Sequence, residues 1–194
     1  MCNTFVGCVN GTMIYDYPND RLVSMETLTG DIFTPLTKIY AQFHELIKNV
    51  TVFNGDSDTV IEGDAVDFEQ QLQNALKKPV LKVIIRAKRL YEDGELEIIR
   101  RILGDEFEQA RSWSIGLEIQ NKGKNKGKAA KRIAELAGAK TLICVGDYEN
   151  DLSLLAAADI SYAVDNALPS VKAIAHRQTV SVENGAIAAI IQEL

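Results

Sequence analysis

From Lys128 to the C-terminus the chain alternates short apolar runs with single helices, and no other feature limits its fold as much. KAAKRIAELAGA (128–139) has helical periodicity and stops at Gly138; TLICV (141–145) is a buried strand; ENDLSLLAAAD (149–159) is helical again. ISYAVDN, ALPSVKAIAHR, TVSV and GAIAAIIQEL repeat strand, helix, strand, helix. Short, wholly apolar strands separated by single helices describe a parallel sheet covered on both faces.

The first part of the chain reads differently. Residues 4–24 combine β-branched and aromatic runs with Asn10-Gly11 and Pro18-Asn19-Asp20, which predicts a strand leading into a hairpin. Leu36, Ile39, Tyr40, Phe43, Leu46 and Ile47 share one helical face, predicting a helix over 34–50. TVFNGDSDTVIEG reads as two strands about an Asn-Gly turn, and DAVDFEQQLQNAL as a helix opened by Asp64 or Asp67. VLKVIIRA is a strand, YEDGELEIIRRILG a helix closed by Gly104, and FEQARSWSIGLEIQ one or two strands. The expected division is therefore an α+β unit over 1–118 and doubly wound α/β over 119–194.

With 194 residues either unit can bury a core without staples. Cys2, Cys8 and Cys144 are odd in number and lack zinc-type spacing, which fits reduced thiols in a cytoplasmic protein. A formal charge of -6 argues against nucleic acid and anionic membrane as partners, since both attract a basic surface. No run approaches the roughly 18 apolar residues of a membrane span, and MCNTFVGCVNG lacks the charged flank and apolar core of a signal peptide.

Ligands of an open parallel sheet bind beyond the carboxyl ends of its strands, and TLICV delivers Gly146 and Asp147 there. Asp147 and Asp151, one turn apart where the next helix begins, put negative charge beside a helix N-terminus that favours anions. Two carboxylates repel a phosphate unless a divalent cation joins them. Mg²⁺ suits oxygen ligands, keeps waters and uses one or two carboxylates plus substrate phosphate. Asp147 is the first candidate ligand, with Asp151 a second ligand or a group that orients water or a lysine. An N-cap and a first-turn acid would explain the same pair without any ligand. The lysine cluster Lys122, Lys124, Lys126, Lys128 and Lys131 opens the preceding helix, and one of these can reach the crevice while the others are solvated. The cluster is not a P-loop, because the spacing between its glycines is too short and Ala129 stands where Ser or Thr is required.

Taken together, KNKGKAAKRIAELAG, LICVGDYENDLSLLAAAD, SYAVDNALPSVKAIA and NGAIAAII resemble the C-terminal half of the haloacid dehalogenase (HAD) superfamily, closest to its Cof-type phosphatases with a type 2 cap. FVGCVNGTMIYD resembles the strand that leads into the cap. The resemblance implies a partial HAD-like, Rossmann-like parallel sheet core, 119–194, with an α+β cap over 1–118. It implies magnesium bound by Asp147 and Asp151, Lys126 as the charge-neutralising catalytic lysine, and Asn150 and Asn166 as supporting and substrate-binding groups. Lys122 is the competing register for that lysine.

The family's reaction is hydrolysis of a small phosphorylated metabolite, of sugar phosphate class, through an aspartyl-phosphate. Its nucleophile sits in an Asp-x-Asp-Gly-Thr motif on a first strand, and this sequence has no such motif near its start. Asp56-Ser57-Asp58-Thr59-Val60 fits a loose version, although a hairpin turn explains both acids. His44 and His176 read as helix-face residues. The expectation is thus a truncated phosphatase, inactive alone for want of its nucleophile, or a non-catalytic module that binds a phosphorylated ligand or a partner. A third arrangement has another chain supply the missing strands, as a complementing N-terminal segment or within a homo-oligomer.

Overall fold

The computed structural model describes residues 4–92 and 94–194; Cys2 and Asp93 lie outside them. By internal contacts the chain forms two compact units, the described part of Met1–Met25 with Lys124–Leu194, and Glu26–Gly123.

The first unit begins with β1 (Phe5–Cys8), β2 (Met13–Asp16) and β3 (Arg21–Met25), an antiparallel sheet in that order. A 3₁₀ turn, Val9–Gly11, joins β1 to β2, with Asn10 left-handed at φ 52. At the β2–β3 turn Asp16 accepts hydrogen bonds from Asn19 and Arg21.

The second unit is a five-stranded antiparallel sheet, ordered β5-β4-β6-β8-β7, with three helices. Its elements are α1 (Phe33–Phe43), β4 (Ile47–Phe53), β5 (Asp58–Ile61), α2 (Ala65–Ala75), β6 (Lys82–Ala87), α3 (Glu95–Leu103), β7 (Phe107–Trp113) and β8 (Gly116–Asn121). Asp64 caps α2 by accepting the Val66 and Asp67 amides, each at 3.0 Å. One sheet face presents Val50, Val52, Val83, Ile85, Leu117 and Ile119 to Leu36 and Ile39 of α1, Phe68 and Leu72 of α2 and Ile99 of α3. Each such side chain contributes about 1.5–3 kcal/mol by leaving water. The helix expected over 34–50 ends at Phe43 instead, and Ile47 onward is strand. Val50 and Val52 alternate with Asn49 and Thr51, and pairing with both β5 and β6 outweighs the helical periodicity that Leu46 and Ile47 continue.

The rest of the first unit is α4 (Lys126–Ala137), β9 (Ile143–Gly146), a 3₁₀ turn (Glu149–Asp151), α5 (Leu152–Ala157), β10 (Ile160–Val164), α6 (Pro169–Ile174), β11 (Arg177–Thr179) and α7 (Ala186–Glu193). The strands form a parallel sheet in the order β11-β10-β9, over a core of Cys144, Leu155, Ala163, Val164, Val171 and Ala186. The segment expected as one helix over 149–159 is a 3₁₀ turn running into α5.

A division at residue 118 would cut β8, and residues 4–25 belong with the C-terminal unit. The cause is the contact between β1 and α4: a methyl group on Gly7 would touch Ile133 and Ala129, and one on Gly11 would fall 2.5 Å from the Asn125 carbonyl. Gly11, at φ +95, both makes the turn and admits the helix.

Candidate active site

Two glycines assemble the site. At the end of β9 a Cβ on Gly146 would lie 2.5 Å from the Asp151 Cβ, so only glycine lets Asp151 fold beneath the strand end. At the start of α4 a Cβ on Gly127 would lie 2.1 Å from the Ser153 carbonyl oxygen. The first turns of α4 and α5 therefore meet backbone to backbone, with the Gly127 amide 3.3 Å from Ser153 Oγ. Asn125 caps α4 by accepting the Lys128 amide, which makes Lys126 the first helical residue.

That geometry brings Lys126 Nζ to 2.5 Å from Asp151 Oδ1. Asp151 Oδ2 accepts the amides of Asp147 at 3.0 Å and Tyr148 at 3.4 Å. Burial alone would raise the pKa of Asp151; the Lys126 ammonium and the Asp147 amide outweigh it and hold the carboxyl below the usual range. Asp147 is pushed the other way, first by burial and then by the neighbouring Asp151 carboxylate. Both oxygens of Asp151 are thus committed, while Asp147 projects, exposed, as the carboxylate left to meet a ligand. Surplus negative charge on an oxygen ligand beside an ammonium fits a hard divalent cation, with the remaining positions left to water and substrate. Among the described residues no three His, Cys, Asp or Glu side chains cluster as a protein-only metal site.

Lys126, Asp147 and Asp151 line one cavity of about 450 Å³. Its other walls are apolar: Val145, Leu154 and Val164 from the sheet and α5, and Val182 with Gly185–Ala188 where α7 begins. The sequence reading missed this wall. Its signal in the sequence is the NGAIAAII segment, a glycine before an apolar run, read there only as part of the family resemblance. Asn166 is exposed in the loop after β10, which the Leu168 amide ties to the Asp147 carbonyl at 3.0 Å. Asn150 is buried and donates to Asn10 Oδ1 at 3.4 Å, anchoring the β1–β2 turn; neither asparagine lines the cavity. Of the competing lysines, Lys126 is the one that meets Asp151.

The other candidates lie elsewhere. Asp56 occupies the β4–β5 turn closed by the Asn54 amide on the Ser57 carbonyl, and Asp56 and Asp58 are exposed. His44 caps the end of α1, and His176 Nδ1 accepts the Ser161 amide at 3.1 Å, so both have structural partners.

Residues 1–191 match the family described as haloacid dehalogenase-like hydrolase. A curated relative, the 5-amino-6-(5-phospho-D-ribitylamino)uracil phosphatase YitU of Bacillus subtilis, is 29% identical over 163 residues, covering 80% of this chain. The chain spans 56% of the length of YitU. The HAD subclass IIB sugar phosphatase BT4131 superposes with a TM-score of 0.78 at 17% identity, over 95% of this chain and 73% of that one. A haloacid dehalogenase-like hydrolase from B. subtilis superposes at 0.73 and 20% identity, over all of this chain and 80% of that one. Both structures share the fold, a HAD-type core with a cap. Because the family match runs over residues 1–191 and so through both units, the chain belongs to the haloacid dehalogenase-like hydrolases.

Proposed function

We propose that the first unit holds the metal and lysine half of a magnesium-dependent phosphomonoesterase site. The observation that carries this reading is the division of labour between two carboxylates: Asp151 is fixed by Lys126 and two amides, and Asp147 is left facing the cavity. Asp147 would hold Mg²⁺, which when bound neutralises phosphate charge. Lys126 contributes a second positive charge at the same mouth, and Asp151 sets the position of that ammonium. Asn166 lies outside the cavity lining, on the exposed loop after β10, and its substrate-binding role rests on the family resemblance alone.

The substrate class follows from chemistry and from relatives. A cation beside an ammonium selects a dianionic phosphate monoester, and the names of YitU and BT4131 refer to a phosphoribityl compound and to sugar phosphates. A small phosphorylated polyol or sugar is the substrate this supports. The free thiols Cys8 and Cys144 fit work in the cytoplasm; burial pushes the Cys144 thiol up to about 11, which keeps it unreactive. No described helix is long and apolar enough to cross a membrane.

Among the described residues, the carboxylates lining the cavity are Asp147 and Asp151, and both are already assigned. In-line attack on phosphorus needs a further nucleophile. We therefore assign this chain on its own a binding role, with turnover requiring a carboxylate from a complementing segment or a second copy. Among the described residues β9 is one of the two edge strands of its sheet, and an extended segment carrying an Asp could pair there. The test is hydrolysis of p-nitrophenyl phosphate with Mg²⁺, by the chain alone and with a peptide carrying an apolar strand that ends in Asp-x-Asp. Background rates alone and Mg²⁺-dependent turnover with the peptide are expected. Turnover by the unaided chain that Asp147→Asn abolishes would overturn the missing-nucleophile reading.

A further inference from the structure

Three consecutive residues of the β1–β2 turn have positive φ: Val9 at 51°, Asn10 at 52° and Gly11 at 95°. Glycine adopts this region freely and asparagine tolerates it, but a β-branched valine there is strained. Such strain persists only where the surroundings impose it, and it gathers at functional sites. Here the surroundings are the two sides of the candidate site. On one side a Cβ on Gly11 would fall 2.5 Å from the Asn125 carbonyl oxygen and 2.8 Å from the Ala129 Cβ, so the turn lies directly on the start of α4. Asn125 is the cap that makes Lys126 the first helical residue. On the other side Asn10 Oδ1 accepts a hydrogen bond from Asn150 Nδ2 at 3.4 Å.

Asn150 is the middle residue of the 3₁₀ turn Glu149–Asp151 and is buried. Where its side chain is held the turn is held, and Asp151 follows it directly in the chain. Asp151 carries the rest of the site: its Oδ1 meets Lys126 Nζ, and its Oδ2 takes the Asp147 and Tyr148 amides. One short turn therefore touches both the lysine side and the carboxylate side. The carboxamide at position 10 does more than shape that turn. Glycine would serve the left-handed conformation at least as well, yet it would offer Asn150 no side-chain acceptor.

We propose that Asn10 is a positioning residue for the metal and phosphate site, acting through Asn150 to fix the loop that presents Asp147 and Asp151. This rests on the phosphomonoesterase reading of the cavity and extends it to a residue that does not line the cavity.

Asn10→Gly separates side chain from backbone, since it keeps the left-handed turn and removes the acceptor. Amide hydrogen exchange of the full chain, followed by NMR without metal, reads the consequence. The Asp147 and Tyr148 amides are expected to exchange about tenfold faster in Asn10→Gly. Those of Tyr162 and Ala163 in β10, which pairs with a strand on each side, should keep their wild-type rates. Asn150→Leu should speed the same two site amides, and Asn10→Gly should add nothing further in the Asn150→Leu background, as two residues acting through one contact require. Should Asn150→Leu fail to fold by circular dichroism, Asn10→Gly decides alone. Wild-type exchange at Asp147 and Tyr148 in Asn10→Gly, equal acceleration in β10, or additive effects in the double variant would overturn the assignment. Calorimetry with inorganic phosphate and Mg²⁺ separates the two readings. Affinity about tenfold weaker in Asn10→Gly is expected; undiminished affinity in that variant sinks the positioning role alone. No phosphate binding by the wild-type chain, with exchange as expected, contradicts the phosphate reading and leaves the hold of Asn10 on the loop intact.

Discussion

Lys126 Nζ stands 2.5 Å from Asp151 Oδ1, across the point where α4 and α5 touch through Gly127 and Ser153. The Asp151 side chain is 6% exposed and the Lys126 side chain 33%, so the pair is closed on the carboxylate side and open on the ammonium side. Lys126→Ala leaves a buried carboxylate with only its two amide donors. A loss of about 1.5–3 kcal/mol in urea unfolding is expected, the usual worth of a charge-assisted hydrogen bond.

The close approach of the two helices is tested at Gly127. Gly127→Ala drives a methyl group into the Ser153 carbonyl and should cost about 1–3 kcal/mol, as overpacking does. Gly7→Ala, whose added methyl would meet Ile133 and Ala129 at ordinary contact distance, should stay within about 1 kcal/mol of wild type. Paired thermal melts of the two variants check the difference.

The two site carboxylates should respond oppositely to pH. The pKa of Asp151 is lower folded than unfolded, so its contribution is present at neutral pH and is lost as pH falls from the ordinary carboxylate value, about 4, toward its folded one. The pKa of Asp147 is higher folded than unfolded, so its ionised form opposes folding at neutral pH, and that opposition is relieved on acidification. Asp151→Asn is therefore expected to destabilise the chain at pH 7 and Asp147→Asn to stabilise it, both measured by urea titration without metal.

Metal binding follows from the same asymmetry. Mg²⁺ at about 100 times its Kd should raise stability by about 2.7 kcal/mol if it binds only the folded state. The effect should vanish in Asp147→Asn and return to baseline on chelation, read as the shift in melting temperature.

Much of this site was legible in the sequence because its parts are local. Gly146, Asp147 and Asp151 follow one apolar strand, and a helix with an Asn cap places Lys126 within reach of them. Less legible was anything set by tertiary contact. Leu46 and Ile47 continue a helical stripe, and only their neighbours in the sheet make this stretch turn and strand. Asn150 reads as a site residue from its position, yet its amide is turned to Asn10, far away in sequence. The apolar wall from Val182 and α7 is visible in the sequence only as the NGAIAAII segment of the family resemblance, which by itself gives it no place at the site. Residues 4–25 join the C-terminal unit through small side chains and glycines against α4, which no periodicity announces.

The most direct test is calorimetric titration of the isolated chain with inorganic phosphate, with and without saturating Mg²⁺. Phosphate is expected to bind only with Mg²⁺ present, with affinity reduced at least tenfold in Asp147→Asn and in Lys126→Ala. Equal phosphate binding by wild type, Asp147→Asn and Lys126→Ala, or no binding by the folded wild-type chain with Mg²⁺ present, would contradict the assignment of these two residues to a shared metal and phosphate site.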